Sequence, residues 1–172
     1  VLYIKNDGYI GINEASTLME EGLLSFIKYA IVRKDPSQDP FLEKLVKNLG
    51  NDRIVSGMGE QPVPIHKIQF DLKSFTSGCV CIAPGLSTQM LKALQKEDMS
   101  RVESIRRKFE VLEELRNEIN PVRVLHAAVK MTNLAETGPL QPMINEISGS
   151  EAARVEKAAM DLFDQEEKNS EF

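Results

Sequence analysis

The sequence predicts an α/β fold in which short parallel strands are covered by helices. Short apolar runs alternate with stretches of helical period, and Gly or Pro punctuates the junctions between them. The alternation stops near residue 100, after which only helical patterns recur.

Val1 to Ile4 reads as the tail of a strand, and Asn13 to Glu21 as a short helix closed by Gly22. Leu23 to Ile31 is an apolar run expected as a buried strand. The next helix has both of its ends written in the sequence. Asp39 is placed to cap it, Pro40 suits the first helical position, Phe41, Leu42, Leu45, Val46 and Leu49 share a face, and Gly50 terminates it. Arg53 to Ser56 is a short strand ending at Gly57-Met58-Gly59, and Val63 to Leu72 returns as a helix. Ser77 to Ala83 is expected as a fourth strand, stopped by Pro84-Gly85, with Ser87 opening a helix to about Lys96.

Beyond Ser100, Val102, Ile105, Phe109, Leu112, Leu115 and Ile119 recur at helical spacing, with Ser100 and Glu103 spaced as a capping box. The alternating charges of this helix are expected on its solvent face, an oligomer contact being the alternative. Asn120-Pro121 begins another helix to about Asn133, a loop covers Gly138 to Pro142, and Glu151 to Asp164 forms a last amphipathic helix. The charged tail, Gln165 to Phe172, is expected to fray. The chain opens within an apolar strand pattern, so a preceding portion is expected to be missing.

The 172 residues suffice for one domain-sized core, and the net charge of −5 provides no basic field for nucleic acid. No apolar run approaches the ~20 residues of a membrane span, and no signal-peptide layout stands at the start, so the expected compartment is the cytoplasm. The two cysteines, Cys79 and Cys81, are too close in the chain for ordinary disulfide geometry. With His66 and His126 they make four soft donors at spacings that match no zinc motif, and core packing is the simpler account. No metal or cofactor is expected.

Lys28 falls near the end of the second strand, in Phe26-Ile27-Lys28-Tyr29-Ala30. Desolvation there would leave a nucleophilic amine suited to a Schiff base, the alternative being a lysine that snorkels out of a strand end. Tyr3 stands at the end of the first strand. Its hydroxyl is either a proton relay beside such a lysine or an ordinary amphipathic strand-top group. Gly57-Met58-Gly59 lacks the rest of a phosphate-binding loop and reads as a tight turn bordering a pocket. Glu60 and Gln61 follow it, either at the site mouth or as plain loop residues.

At these positions the sequence resembles the dihydrodipicolinate synthase and N-acetylneuraminate lyase family. Val1-Leu2-Tyr3-Ile4-Lys5-Asn6 is similar to the segment ending in that family's catalytic tyrosine, and Leu24 to Ala30 to the strand bearing its imine lysine. Arg53-Ile54-Val55-Ser56-Gly57 and Ser77 to Pro84 are similar to the two strands that follow, and Met90 to Glu118 with Asn120 to Leu134 to its helical C-terminal part. The resemblance implies the C-terminal half of a (β/α)8 barrel, strands 5 to 8 over residues 1–97, followed by a helical domain over 98–172. It also implies a lyase or aldolase acting on pyruvate or another 2-oxo acid, with Lys28 forming the imine and Tyr3 relaying protons, in a homo-oligomer.

Two departures bear on substrate. Where the synthases carry an arginine shortly after the tyrosine, this chain has Lys5, Asn6 and Asp7, and after Lys28 it has a longer loop containing Arg33. Arg33 is either a replacement carboxylate contact or a solvated loop charge. With Gly57 and Cys81 it completes the candidate substrate-binding residues. The rival expectations are a catalytically silent barrel relative with a binding or regulatory role, and an unrelated α/β domain of similar periodicity.

Overall fold

Three strands, β1 (Leu2–Ile4), β2 (Ile27–Tyr29) and β3 (Ile54–Ser56), lie parallel in the order β1-β2-β3. The register sets Tyr3 opposite Lys28 and Lys28 opposite Val55. In the computed structural model, residues 1–170 are described. They divide into two units, Val1–Ser77 with Leu94–Met99, and Gly78–Ala93 with the chain from Ser100 onward.

In the first unit each strand is followed by a helix: α1 (Ile12–Glu20), α2 (Pro40–Leu49) and α3 (Val63–Phe70). Successive strand residues face opposite sides of a sheet, and here the two sides differ sharply. Ile4, Ile27, Tyr29 and Ile54 share one core with Ala15, Leu42, Leu45, Phe70 and Leu72 from the helical layer and its loops. Burial of each large aliphatic or aromatic side chain there contributes about 1.5–3 kcal/mol. Tyr3 and Lys28, the alternate residues, stand outside this core.

The α2 helix forms where the sequence places it. Asp39 accepts from the backbone N–H of Leu42 at 3.0 Å, Pro40 is the first helical residue, and Gly50 takes φ +86°, a conformation that glycine adopts without strain. By contrast, β2 is much shorter than the run Leu23 to Ile31, and Leu23 is exposed.

The expected fourth strand, Ser77 to Ala83, does not form. Cys79–Cys81 is a 3₁₀ turn, with Gly78 and Ile82 both in right-handed helical conformation. Pro84 does not end a strand but opens α4 (Pro84–Gln95), three residues before the expected helix start. Short apolar runs suit strand and helix alike, and proline serves both as strand stop and as first helical residue. The pairing beside β3 falls instead on the more polar stretch just before. Ser56 donates to the carbonyl of Ser74 at 3.1 Å, Thr76 donates to that of Ser56 at 2.7 Å, and Phe75 forms a parallel bridge with Ser56.

The second unit is helical. Alongside most of α4 it holds α5 (Met99–Glu118), α6 (Pro121–Met131) and α7 (Gly149–Ser170). Val102, Ile105, Phe109, Leu112 and Leu115 of α5, and Val155, Ala159 and Leu162 of α7, are buried at helical spacing. Asn120 caps α6 by accepting from the N–H groups of Val122 and Arg123, both at 3.0 Å. Ser100 lies inside α5 rather than before it, and Glu103 pairs with Arg106 and Arg107 instead of closing a capping box. Nor are all the α5 charges on a solvent face, because Glu113 and Arg116 are buried. The tail expected to fray continues α7 as far as Ser170, while Glu171 and Phe172 lie outside the described residues.

Candidate active site

On the side of the sheet away from the helices, the Lys28 ammonium stands 4.6 Å from the centre of the Tyr3 ring. Lys5 approaches the same ring at 5.7 Å, so one aromatic face system serves two cations. Lys28 is half-buried between the fully buried Ile27 and Tyr29, and Tyr3 is exposed. Gly57 completes the group. Its N–H donates to the Tyr29 carbonyl at 2.6 Å, and a Cβ at this position would stand 2.8 Å from Lys28 Cγ. Absence of a side chain at 57 is what leaves room for the stem of Lys28.

The helix-covered side holds a polar cluster. The Tyr29 hydroxyl donates to Asp39 Oδ2 at 2.5 Å, and Arg33 donates from Nε to Oδ2 at 2.9 Å and from Nη2 to Oδ1 at 3.0 Å of the same carboxylate. The outer edge of the guanidinium grips Asp7 with two bonds of 2.6 Å. Burial would raise the Asp39 carboxyl, but the hydrogen bonds from Arg33, Tyr29 and the Leu42 N–H prevail and hold it below the usual carboxylate range. Burial, reinforced by the bond to Asp39, pushes the Tyr29 phenol well above its ordinary value. The Arg33 bond likewise holds Asp7 low.

His66 is buried against this cluster, edge-on to Tyr29, with Nδ1 2.8 Å from the Ser56 hydroxyl. Desolvation lowers it to about 4, against a weaker opposing pull from Asp39, so it is neutral at physiological pH. Glu60, read from the sequence as either a site-mouth or a plain loop residue, is fully buried and accepts from the Ser77 hydroxyl at 2.5 Å.

The structure therefore brings Lys28, Tyr3 and Gly57 together. It sets Arg33 among Asp7, Asp39 and Tyr29, and it sets Cys81, an exposed residue, in the 3₁₀ turn of the second unit beside the buried Cys79. Among the described residues no cluster of three or more His, Cys, Asp or Glu is arranged for a metal ion, and no helix is long and apolar enough to cross a membrane. Sequence reasoning missed the Asp7–Arg33–Asp39–Tyr29 cluster. Asp39 carried a signal, as a helix cap, but its pairing with Arg33 carried none.

The chain matches no family model and no curated protein. Its fold is similar to solved dihydrodipicolinate synthases. The enzyme of Bacillus clausii aligns with a TM-score of 0.76 and 27% identity over 92% of this chain and 53% of its own. That of Oceanobacillus iheyensis gives 0.75 and 22% over 92% and 52%, and that of Agrobacterium tumefaciens 0.70 and 21% over 94% and 55%. The fold is thus α/β, and similar to part of the fold of those synthases. This chain spans about half the length of those synthases, consistent with a C-terminal portion of such a protein.

Proposed function

We propose that the protein is a Schiff-base-forming lyase or aldolase acting on pyruvate or another 2-oxo acid, with Lys28 as the nucleophile and Tyr3 as its proton relay. The observation that carries this reading is the pairing of Lys28 with Tyr3 across parallel strands, on the side of the sheet that the helices leave uncovered. In this reading β1, β2 and β3 are strands 5 to 7 of a (β/α)8 barrel, the Ser74 to Thr76 segment stands in for strand 8, and the uncovered side is the barrel interior. Residues 1–97 then belong to the barrel and 98–172 to a helical domain, and catalytic groups gather at the C-terminal strand ends as in other such barrels.

The chemistry is balanced within the pair and the substrate. The Lys28 amine adds to the keto carbon, the carbinolamine loses its oxygen as water with a proton delivered by Tyr3, and a protonated imine and a Tyr3 phenolate remain. The Tyr3 phenolate then takes a proton from the neighbouring carbon, restoring the phenol and giving the enamine, whose carbon makes or breaks the next bond. Gly57 supports this reading by leaving space at the Lys28 stem. A homo-oligomer in the cytoplasm fits it, and neither metal nor cofactor takes part.

The test is borohydride reduction of the full-length protein in the presence of pyruvate. A reduced adduct mapped to the peptide containing Lys28 supports the lyase. No adduct across a range of 2-oxo acids favours a catalytically inactive barrel relative with a binding or regulatory role.

A further inference from the structure

Arg33 is held in a way that argues against direct contact with substrate. Tyr29 follows Lys28 in the strand and so projects to the opposite, helix-covered side, where it is fully buried. Arg33 bonds to the Tyr29 hydroxyl at 3.2 Å and to both oxygens of Asp39, whose own side chain is fully buried and caps α2. The inner edge of the guanidinium is therefore fixed to the helical layer, and its outer edge is already filled by Asp7.

Asp7 belongs to a segment with little else to hold it. After Ile4 the chain leaves the sheet, and Lys5 to Tyr9 are all exposed until Ile10 returns to the core. Tyr3 lies four residues before Asp7, at the root of that segment. A continuous set of contacts thus runs from α2 through Asp39 and Arg33 to Asp7, and from there along the chain to Tyr3.

We infer that Arg33 and Asp7 are positioning residues: their bidentate pair fastens the segment after β1 and thereby holds the Tyr3 hydroxyl in register with the Lys28 amine. A bidentate Arg–carboxylate pair fixes geometry as well as charge, and proton relays are sensitive to small displacements. This rests on the Schiff-base reading above and deepens it, because it assigns the unusual arginine after the lysine to alignment of the relay rather than to recognition of a substrate carboxylate.

The experiment measures the rate of borohydride-trapped imine formation and the pyruvate concentration giving half-maximal rate, in the full-length protein. Asp7→Asn and Arg33→Lys are each expected to slow imine formation by about 10-fold to about 100-fold with little change in the half-maximal concentration. Asp7→Glu is expected to recover most of the rate. In a Tyr3→Phe background, Asp7→Asn is expected to cause no further loss, since the residue through which it acts is already disabled. A raised half-maximal concentration at unchanged maximal rate would overturn the proposal in favour of substrate binding by Arg33. Losses that simply multiply in the double variant would overturn the route through Tyr3. Absence of any wild-type adduct is a separate result, which removes the Schiff-base reading itself.

Discussion

Tyr3 and Lys28 face one another across the β1–β2 ladder, and the lysine ammonium stands 4.6 Å from the centre of the tyrosine ring. Parallel pairing imposes this relation, since neighbouring residues at one register level point to the same side of the sheet. Each of the two residues therefore has a distinct expected loss. Lys28→Ala is expected to abolish the borohydride adduct, while Tyr3→Phe still forms it about 10²- to 10⁴-fold more slowly, the range for loss of a positioned general acid or base. Single-turnover trapping checks both. An adduct retained on another lysine in Lys28→Ala would remove Lys28 from the chemistry.

Gly57 supplies a second prediction, from space alone. A methyl group there would stand 2.7 Å from the Tyr29 carbonyl oxygen and 2.8 Å from Lys28 Cγ. The first neighbour is backbone and cannot swing away. Gly57→Ala is expected to cost about 1–3 kcal/mol of stability, as overpacking does, and to slow adduct formation because the lysine stem must also shift. Urea denaturation and trapping on the same variant read the two effects. An unchanged trapping rate would show that the stem has more room than the geometry allows.

In the helical unit, Glu166 of α7 caps the first turn of α4. Its carboxylate accepts from the N–H of Gly85 at 2.5 Å and of Leu86 at 2.8 Å, in the first turn of α4, and a Cβ at Gly85 would stand 2.5 Å from Glu166 Oε1. Glu166→Ala leaves two first-turn donors without this acceptor and is expected to cost about 2 kcal/mol. Gly85→Ala is expected to be similarly destabilising by displacing the same carboxylate. Combining the two substitutions should therefore cost less than the sum of the single losses, measurable from urea midpoints, whereas full additivity would contradict a shared mechanism.

The legible parts of this chain are those whose signals are local. Both ends of α2 and the start of α6 were readable because a capping side chain and a proline at the first helical position stand next to each other in sequence, with a glycine closing α2. The strand bearing Lys28 was readable as an apolar run, although its length was not, because only pairing with both neighbours decides where a strand stops. Cys79 to Ala83 misled for a related reason. Its continuous apolar run suits a strand, yet the backbone turns at Gly78, and the segment that pairs with Ser56 is the more polar Ser74 to Thr76. Least legible was the Arg33 cluster, since Asp7 and Arg33 are 26 residues apart and meet only once two loops have been set by the strands beneath them.

His66 carries the last prediction, for stability against pH. Its folded value lies near 4, and the unfolded chain takes up its proton near 6.5. Above pH ~6.5 both states are neutral at this site and the full stability is present. Between about 6.5 and 4 the unfolded state binds a proton that the buried, neutral imidazole refuses, so stability falls as pH falls, by about 1.4 kcal/mol per pH unit and of the order of 3 kcal/mol in all. Asp39, held below its ordinary value, adds its own loss only at lower pH, from about pH 5 downward, the unfolded carboxyl being half protonated near 3.9. The two contributions are therefore separable by range. His66→Gln retains a group able to bond the Ser56 hydroxyl but has no proton to gain, so its urea midpoint should decline much less than the wild type's between pH 6.5 and 5, above the range in which paired carboxylates such as Glu103 add their own loss. Equal slopes in the two proteins over that interval would show that some other group governs the acid sensitivity.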